Sequence, residues 1–107
     1  MAEAWLTLAD TPDCGKSWEQ AARLFKNAVT SEQWCQALKA VREPLGPLKS
    51  RTFRSATFQT SLPGAPDGKY MVILYDTVFA NKAAAVETVT PMLDPEGVWR
   101  VGGYYIR

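Results

Sequence analysis

The spacing of hydrophobic residues changes once along the chain, close to Lys49. Before that point hydrophobic side chains recur every three or four residues, which is typical of helices. After it the period shortens to two, which is typical of strands. Helices followed by a run of strands predict an α+β fold, with N-terminal helices packed on one face of a curved four-stranded antiparallel sheet.

Three helices are predicted in the N-terminal half. The first covers Ala2–Asp10, and we expect the carboxylate of Asp10 to face solvent. The motifs SWEQ at 17–20 and TSEQ at 30–33 both fit a capping box, in which the outer two side chains satisfy free backbone N–H groups. The second helix is therefore expected to run without interruption from Ser17 to Val29, and the third from the second motif to the PLGP stretch at 44–47.

Each of the last two helices carries a hydrophobic stripe, and we expect both stripes to face the core. The members of the two stripes are Trp18, Ala21, Ala22, Phe25, Ala28 and Val29, and then Trp34, Leu38, Val41 and Leu45.

The first two predicted strands differ in polarity. Residues 49–60 place Phe53 and Phe58 among threonine, serine and arginine, which indicates a strand near an edge of the sheet. Residues 70–79 are hydrophobic on both faces, which indicates a central strand.

The last two predicted strands carry residues that favour irregular pairing. Residues 86–93 contain Pro91, which fits a bulge or a strand end because proline lacks the N–H donor. Residues 99–106 contain Gly102 and Gly103, which indicate a bulge or a sharp bend.

Composition narrows the classes of function. With 107 residues we expect a single domain, residues 1–107. A net charge of +1 gives no basic surface for nucleic acid, and no hydrophobic run is long enough for a membrane span. The chain has no histidine, which excludes histidine-based nucleophile activation, and two cysteines alone cannot complete a zinc site. No catalytic motif, metal site or cofactor is predicted.

The charged residues that lie in or beside hydrophobic elements are Arg42, Arg51, Asp76, Glu87 and Arg100. They could line a pocket, where carboxylates act as acid and base or arginines hold an anionic ligand. Alternatively, they face solvent or pair across strands, which is common on the wet face of an antiparallel sheet.

Asp76 and Glu87 merit a separate prediction. A turn centred on Asn81 and Lys82 would place these two carboxylates opposite each other on neighbouring strands. Like charges in that position are destabilising, so the pair would need a nearby arginine or a raised pKa in one member.

Several aromatic side chains lie on the predicted sheet: Tyr70, Tyr75, Trp99, Tyr104 and Tyr105. They could line a ligand pocket, form a dimer face, or simply pack in the core and across strands. The candidate ligand-binding residues are therefore Arg42, Arg51, Tyr75, Asp76, Glu87, Arg100 and Tyr104.

A family resemblance rests on motifs spread along almost the whole chain. They are AWLTLAD at 4–10, SWEQAARLFK at 17–26, Trp34, REPLG at 42–46, SR at 50–51, LPGAPDGKY at 62–70, FANK at 79–82, ETVT at 87–90 and GVWRVGGY at 97–104. Together they resemble the family of domains of unknown function numbered four thousand and nineteen, small proteins mostly from Gram-negative bacteria.

The resemblance implies an exported, periplasmic protein whose signal peptide is removed just before the first helix, although composition alone also allows a cytoplasmic one. It also implies a cystatin-like or nuclear-transport-factor-two-like cone, with a pocket between helices and sheet. The resemblance implies no particular activity. Our leading hypothesis is a non-catalytic module that binds a small molecule or an envelope protein. The alternatives are a structural subunit that dimerises through its sheet and, less favoured, an enzyme with Asp76 or Glu87 as acid or base.

Cys14 and Cys35 are the two cysteines of the chain. An oxidising periplasm would favour a disulfide between them. A simple antiparallel pair of helices would instead hold them about 16–18 Å apart, too far for a bond. The sequence therefore does not decide between a disulfide and two free thiols. A disulfide requires either that residues 11–16 fold back over the next helix or that the helices cross steeply.

Overall fold

The structure, a computed structural model, describes residues 2–10 and 14–107. The helices are α1 Ala2–Asp10, α2 Cys14–Glu19, α3 Arg23–Ala28 and α4 Ser31–Leu45, and the strands are β1 Leu48–Gln59, β2 Tyr70–Phe79, β3 Lys82–Leu93 and β4 Trp99–Ile106. One antiparallel sheet in the order β1-β2-β3-β4 confirms the α+β prediction. Within the described ranges, no helix has both the length and the apolar character needed to cross a membrane.

The predicted single helix from Ser17 to Val29 is wrong, because the chain breaks into α2 and α3. At the break Ala21 forms a parallel bridge with Val101 of β4, and the Ala22 N–H donates to the Val101 carbonyl at 2.7 Å. Two small residues in succession let the backbone approach the sheet closely. This tertiary hydrogen bonding replaces helical hydrogen bonding, so sequence periodicity alone could not locate the break.

Ser17 does not begin a helix as predicted, but lies buried inside α2. Its hydroxyl donates to the Cys14 carbonyl at 2.6 Å and accepts from Nε1 of Trp34 at 2.8 Å. Its carbonyl accepts from Nε1 of Trp5, also at 2.8 Å. Ser17 therefore satisfies the indole donors of two core tryptophans, which would otherwise be buried without partners.

The capping box at the start of α4 is confirmed. The Thr30 hydroxyl accepts from the Gln33 N–H, and the Gln33 side chain accepts from the Thr30 N–H. The helix ends at Leu45 and is capped by Gly46, whose φ of 75° is a conformation that favours glycine. One member of the predicted stripe is wrong: Val41 is 48% exposed, and its neighbour Arg42 turns toward the interior instead.

Four aromatic rings form the centre of the core between the helices and the sheet. Trp34 of α4 packs edge-on against Phe25 at 4.9 Å between ring centroids, and it lies 6.0 Å from Trp5 and 6.4 Å from Tyr104. The buried aliphatic side chains of the sheet, such as Val89 and Val101, face the same cluster. The helices thus cover one face of the sheet, as predicted.

The strand predictions hold closely for β2 and β4, which have the predicted bounds, while β3 begins four residues earlier than expected. Thr90 pairs with Gly103 and Pro91 with Val101, so Gly102 is an extra residue that forms the predicted bulge. A Cβ atom at Gly102 would lie 2.7 Å from Sδ of Met92, so a side chain at this position would require the Met92 side chain to move.

The structure contains the Cys14–Cys35 disulfide that the sequence left open, with its two Cα atoms 5.5 Å apart. The distance expected from the sequence, which was too long for a bond, assumed that Cys14 precedes a long helix. Instead, Cys14 opens the short α2, which packs directly against α4. The proposed fold-back of residues 11–16 concerns a stretch of which 11–13 lie outside the described residues.

We predict that replacing both Cys14 and Cys35 with serine lowers the free energy of unfolding by about 3 kcal/mol, because the 21-residue separation closes a sizeable loop in the unfolded chain. Urea melts of the oxidised protein and of the double variant would measure the difference. A loss well below 1 kcal/mol would mean that the covalent link adds little to the packing of α2 on α4.

Candidate functional site

A buried polar network lies where α1, α4 and all four strands of the sheet meet. We use this name for Asp10, Arg42, Arg51, Thr77, Glu87 and Tyr104, which are linked by direct hydrogen bonds. Four of these residues were candidate site residues from the sequence: Arg42, Arg51, Glu87 and Tyr104. The structure thus brings more than half of the predicted set into one place.

Glu87 is the centre of the buried polar network and is 0% exposed. Its alternation with Ala85 and Val89 along β3 directs the carboxylate toward the helices. Oε1 accepts from Nε of Arg51 at 2.5 Å and from the hydroxyl of Thr77 at 2.7 Å. Oε2 accepts from Nη2 of Arg51 at 3.0 Å and from the Tyr104 hydroxyl. Every carboxylate oxygen therefore has two donors, as a buried charge requires.

Asp10 joins the first helix to this centre. Its two oxygens accept from Nη1 and Nη2 of Arg51 at 2.9 and 3.0 Å, and Oδ1 also accepts from Nη2 of Arg42 at 2.8 Å. The Arg42 guanidinium lies over the Phe79 ring, 4.9 Å from its centroid, and its buried Nη1 has no hydrogen-bond partner. Arg51 thus bridges two carboxylates, and the prediction that Asp10 faces solvent is wrong.

Electrostatic effects within the network favour the protonation states that these bonds need. Burial opposes the charge on Arg51, but hydrogen bonds to Asp10 and Glu87 and their negative charges raise its pKa above the ordinary value. Burial, followed by the charge of Glu87 and the hydrogen bond to it, raises the pKa of Tyr104 well above that of a free phenol. Tyr104 is therefore a donor throughout the neutral range.

We predict that Tyr104→Phe makes the stability of the protein less sensitive to alkaline pH. The unfolded chain releases the Tyr104 proton near pH 10, while the raised pKa keeps the proton in the folded state. The contribution of Tyr104 to the free energy of unfolding is therefore fully present below that pH. Above it, this contribution falls by about 1.4 kcal/mol per pH unit. Urea melts between about pH 8 and 11 would measure the slope.

Tyr105→Phe is the matched control for this experiment, because Tyr105 is exposed on the same strand and its pKa is lowered by hydrogen bonds. This variant should not flatten the alkaline slope. Equal slopes for the wild type and Tyr104→Phe would contradict the assignment of a raised pKa to the buried phenol.

The prediction that Asp76 and Glu87 face each other is wrong. The β2–β3 turn consists of Ala80 and Asn81, since Phe79 pairs with Lys82, and an irregularity follows at Thr77 to Phe79. Glu87 consequently pairs with Tyr75, and Asp76 pairs with Val86. A shift of one residue moves a side chain to the opposite face. Asp76 therefore lies on the outer face, 61% exposed and 3.5 Å from Arg54.

The other two candidate residues also lie outside the network. Arg100 forms ion pairs with Asp94 at 3.5 Å and Glu96 at 3.2 Å, so it supports the β3–β4 turn. Tyr75 is buried and lines a groove of about 340 Å³ between the start of α1 and the sheet. Burial, with the Glu3 charge next in importance, raises the pKa of Tyr75.

Sequence reasoning missed Asp10 and Thr77 as members of the network. A signal for Asp10 was present, because it follows the buried Leu6 by four residues and therefore lies on the same helical face. Thr77 gives no such signal, since a threonine in a hydrophobic strand is ordinary. Its role depends on the register of β2 against β3.

A cavity of about 720 Å³ lies beside the network. Its lining residues are Ala9, Asp10, Cys14, Cys35, Gln36, Leu38, Lys39, Arg42, Glu43, Gly46, Pro47 and Leu48. The charged members are already paired, Asp10 with Arg42 at 2.8 Å and Lys39 with Glu43 at 3.7 Å. The remaining wall is mostly apolar and includes the disulfide. A volume of this size lies within the range of small-molecule pockets.

In the part of the chain that the structure describes, no three carboxylate or cysteine side chains come together as metal ligands. The cavity and the network also offer no glycine-rich cradle or free cationic cluster for a phosphate group. The site is thus a polar network in which every carboxylate oxygen accepts hydrogen bonds, beside a mainly apolar cavity.

Comparison with known proteins places the chain in a family. Residues 1–104 match the family described as Protein of unknown function (DUF4019), so the chain belongs to that family and the resemblance seen in its sequence is confirmed. No curated protein and no solved structure matches it.

Proposed function

We propose that this chain is a small, non-catalytic binding domain that holds an uncharged, largely apolar molecule in the 720 Å³ cavity. The cavity is the single observation that carries the proposal. It combines the volume of a ligand pocket with an apolar wall formed by Leu38, Leu48 and the disulfide. The paired state of its charged residues favours an uncharged ligand over an ion.

The buried polar network supports binding rather than catalysis. A general base needs a carboxylate oxygen that can reach a substrate proton. Both oxygens of Glu87 instead accept two hydrogen bonds from the protein, and the residue has no exposed surface. Asp76, the other carboxylate considered as acid or base, lies on the opposite face of the sheet from the helices. The network therefore fixes the wall of the cavity that Asp10 and Arg42 provide.

We also propose that the domain works in an oxidising compartment, such as the bacterial periplasm. The Cys14–Cys35 disulfide supports this location, because protein disulfides persist outside the reducing cytosol. The same disulfide forms part of the cavity wall, so the oxidised protein is the form expected to bind the ligand.

A titration with the uncharged fluorescent dye Nile red tests the proposal. Gln36 lines the cavity and Ala40 is exposed on the same helix outside it. We expect the dye to bind the wild type and Ala40→Trp with similar affinity. Gln36→Trp should weaken binding at least about tenfold, because the indole would occupy the cavity.

Circular dichroism of both tryptophan variants would verify that α4 is intact before the affinities are compared. Equal dye affinity for all three proteins would place the dye elsewhere, and no binding to the wild type would remove the support for an apolar ligand.

A further inference from the structure

The strand β1 is an open edge of the sheet. It is twelve residues long and pairs only with β2, and within residues 2–10 and 14–107 no backbone–backbone hydrogen bond reaches it from another element. The backbone groups on its outer side are therefore available to a further strand. Phe53 and Phe58 of β1 are 56% and 51% exposed, although they lie on the face that the helices cover elsewhere.

The two halves of this edge differ in their protection against pairing. In the first half, Lys49 and Arg54 are the extra residues at two irregularities of the pairing with β2. Bulges and basic side chains are the usual means by which proteins block an edge strand. The second half, residues 55–59, pairs with β2 in unbroken register and contains no charge. Only this half is free of both obstacles.

We propose that a second copy of the chain adds to this edge, antiparallel through residues 55–59, with a two-fold axis at Thr57. The sequence of the segment fits a copy of itself. In this register Ala56 of each copy lies opposite Phe58 of the other, so that a large exposed ring packs over a small residue twice. Thr57 lies opposite its own copy, and threonine pairs of this kind are favourable.

Charge also favours this register over others. Arg54 would lie opposite the uncharged Thr60, and no like charges meet along the paired segment. The interface is shorter than that of a standard stable dimer, so the association should be reversible and dependent on concentration. The contact uses the edge of the sheet and leaves the cavity beside α4 untouched, so it is independent of the proposed function.

Analytical ultracentrifugation of substituted proteins tests the proposal. Thr57→Lys and Thr57→Glu each place like charges at the two-fold axis, so each variant should associate at least about tenfold more weakly than the wild type. An equimolar mixture of the two variants should associate again, because lysine then lies opposite glutamate. Thr52→Lys is the matched control: Thr52 lies on the same outer face of β1 but outside the paired segment, and this variant should behave like the wild type.

The recovery of association in the mixture separates an interface effect from a folding defect, since two misfolded variants would not restore each other. A wild type that stays monomeric up to about 1 mM, the weak end of specific association, would overturn the proposal. So would Thr57→Lys that associates like the wild type, a mixture that stays monomeric, or Thr52→Lys that is equally impaired.

Discussion

Trp34→Ala should lower the free energy of unfolding by about 3–5 kcal/mol, a large share of the total stability of a small domain. Trp34 is only 8% exposed and contacts both Phe25 and Trp5 through its ring. Its removal leaves a cavity at the centre of the core. It also removes the donor that the buried hydroxyl of Ser17 accepts from. Urea denaturation followed by tyrosine and tryptophan fluorescence would measure the loss.

Val41→Ala provides the matched control for this prediction. Val41 belongs to the same predicted stripe of α4 but is largely exposed, so its truncation should change stability by less than about 0.5 kcal/mol. Similar losses for the two variants would mean that the packing of α4 differs from that described. A loss below about 1 kcal/mol for Trp34→Ala would show that the indole is not a core residue.

Glu87→Gln should also destabilise the protein strongly, by about 3 kcal/mol or more. The substitution keeps the shape of the side chain but removes its charge, which leaves one side of the buried Arg51 guanidinium without a carboxylate. The new amide also brings N–H donors into a site where Arg51, Thr77 and Tyr104 are all donors. Breaking one side of a buried ion pair costs more than the pair itself contributes.

Asp76→Asn removes the same charge from the outer face of the sheet and is the control for Glu87→Gln. Its ion pair with Arg54 is exposed, so the change should stay within about 0.5 kcal/mol. Urea melts of the two variants at neutral pH would measure both effects. If Glu87→Gln were as mild as Asp76→Asn, the network would contribute nothing specific to folding.

The sequence predicts the sheet more reliably than the helices that cover it. Alternating and continuous hydrophobic patterns locate β2 and β4 because those patterns depend on the strands alone. The break between α2 and α3 depends instead on the Ala22 N–H reaching Val101, almost eighty residues further along the chain. A local pattern contains no information about such a partner, so helical periodicity continued across the break.

The sequence points to charged residues that need buried partners, but it does not give the geometry of the network that they form. A charged residue in a hydrophobic strand, such as Glu87 or Arg51, attracts attention because its burial must be compensated. Which partners compensate it depends on register, and one extra residue near Thr77 is enough to place Asp76 on the other face. The link to α1 through Asp10 depends on how that helix lies on the sheet, which composition and spacing do not encode.

The backbone bridge from Ala21 to Val101 has a consequence for assembly. Growth of a sheet into a filament requires two open edges on every molecule, one to add to and one to be added to. In this protein the outer side of β4 is occupied at Val101 by the segment between α2 and α3. This contact covers only part of the β4 edge, but it interrupts the row of free backbone groups that a further strand would need. The proposed pairing through β1 is therefore expected to end with two copies rather than to continue into a fibre.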